Sequence, residues 1–193
     1  MRVYTIGHST RALEELVALL REHGVKRLAD IRRFSGSRRY PHFSREALEI
    51  SLPERGIEYV HIPELGGRRK PAAGSPNTAL QNEQFRAYAD HMATEEFRQA
   101  VDHLLAGQAE ACPTEGINAT AQCGTGFSLS GDGRTAVMCA EAVPWRCHRN
   151  LLSDELLRRG CEVVHIIGRG AAKRHVMSPY ARVIGDHVVY PGL

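Results

Sequence analysis

No apolar run in this sequence approaches the ~20 residues that a membrane-spanning helix needs, so none is expected. The opening residues Met1-Arg2-Val3-Tyr4-Thr5-Ile6 lack the apolar stretch and small-residue cleavage site of a secretory leader. They run straight into a strand-like pattern, and a cytoplasmic location is the expectation. No Cys-x-x-Cys pair and no His-Glu-x-x-His helix is present. The five cysteines, at 112, 123, 139, 147 and 161, form an odd and scattered set rather than a disulfide framework. In a reducing compartment such thiols are buried, catalytic or metal-bound. Charge excess is missing too. Lys and Arg number 25 against 22 Asp and Glu, and the net +3 does not by itself announce nucleic-acid binding.

What is present is ordinary globular material. Hydrophobic residues make up 42% and charged residues 24%, which excludes wholesale disorder. A chain of 193 residues suits one domain with a sizeable core. Arg2–Ile6 reads as a strand, followed by the turn Gly7-His8-Ser9-Thr10. Leu13, Leu16, Val17, Leu19 and Leu20 recur at helical spacing up to Gly24. Arg27–Ile31 is a second strand, and Ser44 begins a helix to about Arg55. Ile57–Ile62 alternates with period two, as a strand does. Residues 81–106 are helical with a break near Thr94. Arg134–Cys139 reads as a buried strand, Cys147–Arg159 as a helix, and Glu162–Ile167 as another strand. The tail is expected to hold a short helix and a last strand near Val188-Val189-Tyr190. Residues from about 109 to 132 are rich in Gly, Ser, Thr and Ala and read as an irregular insertion. Their Gly124-Thr-Gly126 follows no strand and opens no helix, so no dinucleotide site is inferred. Strands alternating with helices indicate an α/β fold: an open, mostly parallel sheet flanked by helices, a Rossmann-like three-layer architecture.

In such a sheet, ligands bind beyond the carboxyl ends of the strands. The unusual polar residues of this chain fall there. His8 and Ser9 follow the first strand. Asp30, Arg32, Arg33, Ser37, Arg38 and Arg39 follow the second. Gly66, Gly67, Arg68, Arg69 and Lys70 follow the third. Cys139, Glu141, Cys147, His148 and Arg149 follow the Val137-Met138 strand. Cys147 lies near a helix start, where unpaired N–H groups favour negative charge. Arg146, His148 and Arg149 add cations that lower a thiol's pKa. The spacing loosely resembles the cysteine–arginine loop of tyrosine phosphatases, but six residues rather than five separate Cys139 from Arg146 and the glycines are missing. Cys139, Cys147 and His148, with His8 nearby, are also a potential soft-metal set. Trp145 reads either as a pocket wall or as core packing.

The combination of Thr5-Ile6-Gly7-His8-Ser9, Asp30-Ile31-Arg32 with Ser37 and Pro41-x-Phe43, Leu65-Gly66-Gly67, Cys139-Ala140-Glu141 and Cys147-His148-Arg149 resembles the bacterial family known as domain of unknown function 488. His165-Ile166 and Tyr190-Pro191 extend the resemblance nearly to the end. It implies a compact α/β domain and no established activity.

Three functions suit these residues. One is an enzyme for a phosphate-bearing or other anionic substrate, a thiol-dependent hydrolase or transferase. Its catalytic set would be Cys139, Cys147, His148, His8 and Glu141. Its anion-binding set would be Ser9, Asp30, Arg32, Ser37, Arg39, Gly66, Gly67 and Arg149. The second is a nucleic-acid-associated module using the basic loops. The third is a metal-binding protein using Cys139, Cys147 and His148. The expected partner is a small anionic or phosphorylated ligand, with nucleic acid as the alternative, no membrane, and self-association left open. Apart from that metal ion, the sequence names no cofactor.

Overall fold

Residues 1–36, 39–109 and 134–192 are described by the structure, a computed structural model. Two apolar periods set its layers. Strand β1 (Arg2–Gly7) sends Val3 to one face and Tyr4 and Ile6 to the other. Strand β4 (Arg134–Cys139) repeats this with Val137 and Cys139 opposite Ala136 and Met138. Helix α1 (Leu13–Glu22) buries Leu16, Leu19 and Leu20 against the Tyr4 face, joined by Leu48 of α2 (Arg45–Ser51). The opposite face takes Tyr88 and Met92 of α3 (Glu83–Met92) and Phe97, Val101 and Leu104 of α4 (Glu95–Ala109). Leu151, Leu152 and Leu156 of α5 (Arg149–Arg158) complete it. Each fully buried leucine contributes about 1.5–3 kcal/mol of transfer free energy.

The sheet order is β3-β2-β4-β1-β5-β6, with β2 at Val25–Asp30, β3 at Glu58–His61, β5 at Glu162–Gly168 and β6 at Ala171–Arg174. The first five strands are parallel to their neighbours and β6 is an antiparallel edge. The register aligns Gly7 with Cys139, and Asp30 with both Met138 and His61. The carboxyl ends of four adjacent strands therefore open on one level, with Cys139 on one of the two inner strands of the four.

The local readings differ in three places. The helix expected to Arg55 stops at Ser51, because Pro53 starts a separate one-turn 3-10 segment. The helix expected from Cys147 begins at Arg149, leaving Cys147 extended. The tail has no helix where one was expected among its described residues. It forms β6, then the two-stranded β7 (Arg182–Ile184) and β8 (His187–Val189). Gly170 and Gly185, at φ 63° and 61°, supply the turns that reverse the chain. The expected insertion lies outside the described residues except at its first position. Among the described residues, no helix is long and apolar enough to cross a membrane.

A buried polar relay ties this tail to the core. Asp154 accepts from His175 Nε2 at 2.8 Å, from the Tyr190 hydroxyl at 2.8 Å and from the Ser178 amide at 3.0 Å. An ionised carboxylate only accepts, so all three of these partners donate to it. His175 Nδ1 and His165 Nε2 share a hydrogen bond at 3.0 Å, and His165 Nδ1 and the Thr5 hydroxyl share one at 2.7 Å.

Candidate active site

The loop after β4 is shaped by backbone contacts before any side chain acts. The amides of His8 and Ser9 donate to the carbonyls of Cys139 and Ala140, both at 3.0 Å. A Cβ on Gly7 would stand 1.7 Å from the Glu141 carbonyl oxygen, so only glycine lets the two chains approach so closely. Two further glycines act alike. A Cβ on Gly66 would stand 2.6 Å from the Arg33 nitrogen, and one on Gly67 would stand 2.9 Å from His148 Nδ1. The paired glycines thus let the loop after β3 close against the loop after β2 and against His148.

This packing brings Cys139 Sγ within 2.7 Å of Cys147 Sγ. Cys147 Sγ also has His148 Nδ1 and the backbone N–H of Arg149, the first residue of α5, each at 3.5 Å. Behind the sulfurs lies Arg149, fully buried. Its Nη2 donates to the Glu141 carbonyl at 2.7 Å and reaches that of Ala142 at 3.5 Å. Its Nε has no hydrogen-bond partner. None of the ion pairs among the described residues involves Arg149. A buried cation of this kind calls for a nearby negative charge.

The two thiols respond in opposite directions. Burial opposes ionisation of Cys147, but the hydrogen bonds from Cys139 and His148 and the charges of His148 and Arg149 outweigh it and hold its pKa well below the ordinary thiol value. Burial, reinforced by the hydrogen bond to Cys147 and that neighbour's charge, pushes the Cys139 thiol well up. The two shifts favour negative charge on Cys147 and the proton on Cys139.

A cavity of about 290 Å³ opens over these sulfurs. Its wall includes Arg32, Arg33, Arg68, Arg146, Glu141 and His148, with Phe34, Gln84 and Phe85 alongside. Arg32 is already engaged. Its guanidinium grips the buried Asp30 carboxylate through Nε at 2.8 Å and Nη2 at 2.5 Å, and Nη2 also donates to the Phe43 carbonyl at 2.8 Å. Tyr59 donates its hydroxyl to the same Asp30 at 2.9 Å. By contrast, no ion pair among the described residues includes Arg33, Arg68 or Arg146.

The other expected site residues take varied positions. His8 is buried beside the cavity rather than on its wall, its Nε2 3.2 Å from Arg32 Nη1 and its ring 4.4 Å from that of Phe43. Burial, then the Arg32 charge, pushes its pKa down to about 4. Ser9 sits at φ 50° in the turn above β1. Arg39 is exposed, its guanidinium 5.6 Å from the Tyr40 ring centroid. Ser37 lies outside the described residues. Trp145 is 55% exposed and lies neither in the core nor on the cavity wall.

Tyr88 was not anticipated by the sequence reading. It is fully buried under His148, with ring centroids 4.9 Å apart, and donates its hydroxyl to the Leu65 carbonyl at 3.0 Å. Cys139, Cys147 and His148 do come together. Yet a tetrahedral ion binding both sulfurs at about 2.3 Å would set them roughly 3.8 Å apart, wider than they stand here. Among the described residues, no group of three or more His, Cys, Asp or Glu is arranged to hold a metal ion.

Comparison with protein families matches residues 12–114 to the family described as Domain of unknown function DUF488. Among curated proteins and among solved structures, none matches the chain.

Proposed function

The chain belongs to the family described as Domain of unknown function DUF488, and we propose that it is a thiol-dependent enzyme acting on a small anionic substrate, with Cys147 as nucleophile. The observation that carries this reading is the buried Arg149 guanidinium, which has no carboxylate partner and stands behind the sulfur pair. A Cys147 thiolate is the charge that compensates it. The Arg149 amide and His148 Nδ1 add two further dipoles around the same sulfur.

The cavity supplies the other half. Arg33, Arg68 and Arg146 present guanidinium groups without carboxylate partners, and such groups bind carboxylate or phosphate through paired N–H donors. The thiolate would attack an electrophilic atom of a substrate held by these arginines. His148 Nδ1 is the proton site nearest the sulfur apart from Cys139 itself.

The test compares two alkylating reagents of similar size. Iodoacetate carries a negative charge and iodoacetamide does not. Relative to free cysteine in the same buffer, the Cys147 rate ratio of iodoacetate to iodoacetamide should be raised at least about tenfold, and inorganic phosphate should lower it. Peptide mass mapping and Cys147→Ser assign the reacting thiol. A ratio equal to that of free cysteine, or a Cys147 titration near the free value of about 8.5, overturns the proposal.

A further inference from the structure

Nucleophilic attack by Cys147 needs one sulfur, yet the site holds two. Acyl or phosphoryl transfer does not call for a second thiol in contact with the nucleophile, whereas reduction of a disulfide through an intramolecular protein disulfide does. From the Cys139–Cys147 juxtaposition we infer that the substrate class is a small disulfide carrying negative charge, which the site reduces through a Cys139–Cys147 disulfide. This inference rests on the Cys147 nucleophile proposed above.

The geometry is specific. The sulfurs stand 2.7 Å apart, only roughly 0.6 Å beyond the bonded separation of about 2.05 Å. The loop between them is pinned at both ends. The His8 amide holds the Cys139 carbonyl, the Cys147 amide donates to the Pro144 carbonyl at 2.9 Å, and Arg149 clamps the Glu141 carbonyl. Bond formation therefore needs a shift of sulfur atoms and no rearrangement of the loop.

The steps balance as follows. The Cys147 thiolate attacks one sulfur of the substrate disulfide, forming a Cys147–substrate S–S bond. The substrate S–S bond breaks, and its other half leaves as a thiolate. Cys147 has now lost its negative charge, and the buried Arg149 charge is again uncompensated. That favours loss of the Cys139 proton, which passes to the departing thiolate or to solvent. The Cys139 thiolate then attacks Cys147 Sγ, closes the protein disulfide and releases the second half as a thiolate, protonated from water. Two electrons pass from the protein dithiol to the substrate. Two equivalents of an external thiol restore the dithiol by the same steps in reverse and leave as their own disulfide.

The residue roles differ accordingly. Both cysteines line the cavity and both are nearly buried, Cys147 at 3% and Cys139 at 2% exposure. What sets Cys147 apart is that His148 Nδ1 and the Arg149 amide surround its sulfur and favour the charged, attacking form. Cys139 lacks those donors, and burial raises its pKa, which favours the protonated form that suits a resolving thiol. Arg33, Arg68 and Arg146 would receive the carboxylates of the substrate.

The probe is oxidised glutathione, a disulfide with several carboxylates, added to the full chain after reduction and removal of reductant. The parent protein should lose two hydrogens in mass and yield a peptide pair crosslinked at Cys139–Cys147, with two equivalents of reduced glutathione released. Cys139→Ser should stop at a stable glutathione adduct on Cys147. Cys147→Ser should react at least tenfold more slowly. A parent protein that ends as a stable adduct on Cys147, or that leaves both thiols free, overturns the inference. If Cys147 nevertheless shows the expected iodoacetate preference, the anionic-substrate nucleophile survives and only the disulfide chemistry fails. If that preference is missing as well, both fail. Crosslink mapping on the parent keeps the test independent of whether either variant folds.

Discussion

The Glu141 carbonyl oxygen occupies the space beside Gly7 so closely that a methyl group there would lie 1.7 Å from it. The same oxygen accepts the hydrogen bond of Arg149 Nη2 at 2.7 Å. One carbonyl thus couples the end of β1 to the cation behind Cys147. Gly7→Ala should push the loop outward and loosen the Arg149 contact. We expect a loss of about 1–3 kcal/mol in stability, the usual cost of overpacking, and a Cys147 alkylation rate at neutral pH reduced at least fivefold. Denaturant midpoints and alkylation kinetics measure the two effects. A variant equal to the parent in both would show that the loop is less constrained than its contacts imply.

Two buried imidazoles make stability depend on pH with a definite sign. His8 is pushed down to about 4 and His165 to about 3, each mainly by burial. For His8 the second cause is Arg32, and for His165 it is His175. Both rings are neutral in the fold and charge in the unfolded chain near pH 6.5. Between about pH 6.5 and pH 4 the unfolded state therefore binds more protons, and stability falls as pH falls. Each ring adds a slope approaching 1.4 kcal/mol per pH unit, or about 2.7 for both. Denaturant unfolding at a series of pH values checks this, with NMR titration of the two rings. A flat profile from pH 7 to pH 5 would contradict it.

The Asp154 carboxylate collects three donors in the interior, His175, Tyr190 and the Ser178 amide. An amide in its place turns one acceptor oxygen into a donor. All three of its partners donate to the carboxylate, so the introduced N–H group leaves a buried donor without an acceptor. Asp154→Asn should cost at least about 1–3 kcal/mol and speed hydrogen exchange at Ser178. Unchanged exchange there would mean that the tail is held by its apolar contacts alone.

The sequence announced the site more fully than the tail, for physical reasons. Buried strands such as Arg134–Cys139 carry an apolar run, and α1 carries a clear helical period. The short β6 and β7 have every residue exposed, so no burial pattern marks them. Cys139 and Cys147 stood out because they bracket a strand-to-helix loop. Tyr88, Gln84 and Phe85 did not, since within α3 they look like ordinary members of an amphipathic helix. Only the chain's crossover from β3 back to β4 carries that helix to the cavity. Arg32 and Arg149 were legible as cations near the site but not in their partners. Asp30 neutralises one from two residues away, and the other is folded beneath the loop.

Arg149 offers the sharpest separation of charge from packing. Its guanidinium supplies a positive charge behind Cys147 and a hydrogen bond to the Glu141 carbonyl. Arg149→Met keeps much of the volume and removes both. Arg149→Lys keeps the charge and weakens the hydrogen-bond fork. If the charge holds the thiolate, the Met variant should raise the Cys147 pKa by one unit or more. Its alkylation rate below that pKa should then drop about tenfold per unit, while the Lys variant stays within a few-fold of the parent. Stability should move the other way from reactivity. Removing a buried cation relieves its desolvation cost, so below the Cys147 pKa of the parent the Met variant should be no less stable. Rates measured against pH for the three proteins decide the matter. Equal pKa values for the parent and the Met variant would mean that Arg149 only braces the loop, and that the thiolate depends on His148 and the start of α5.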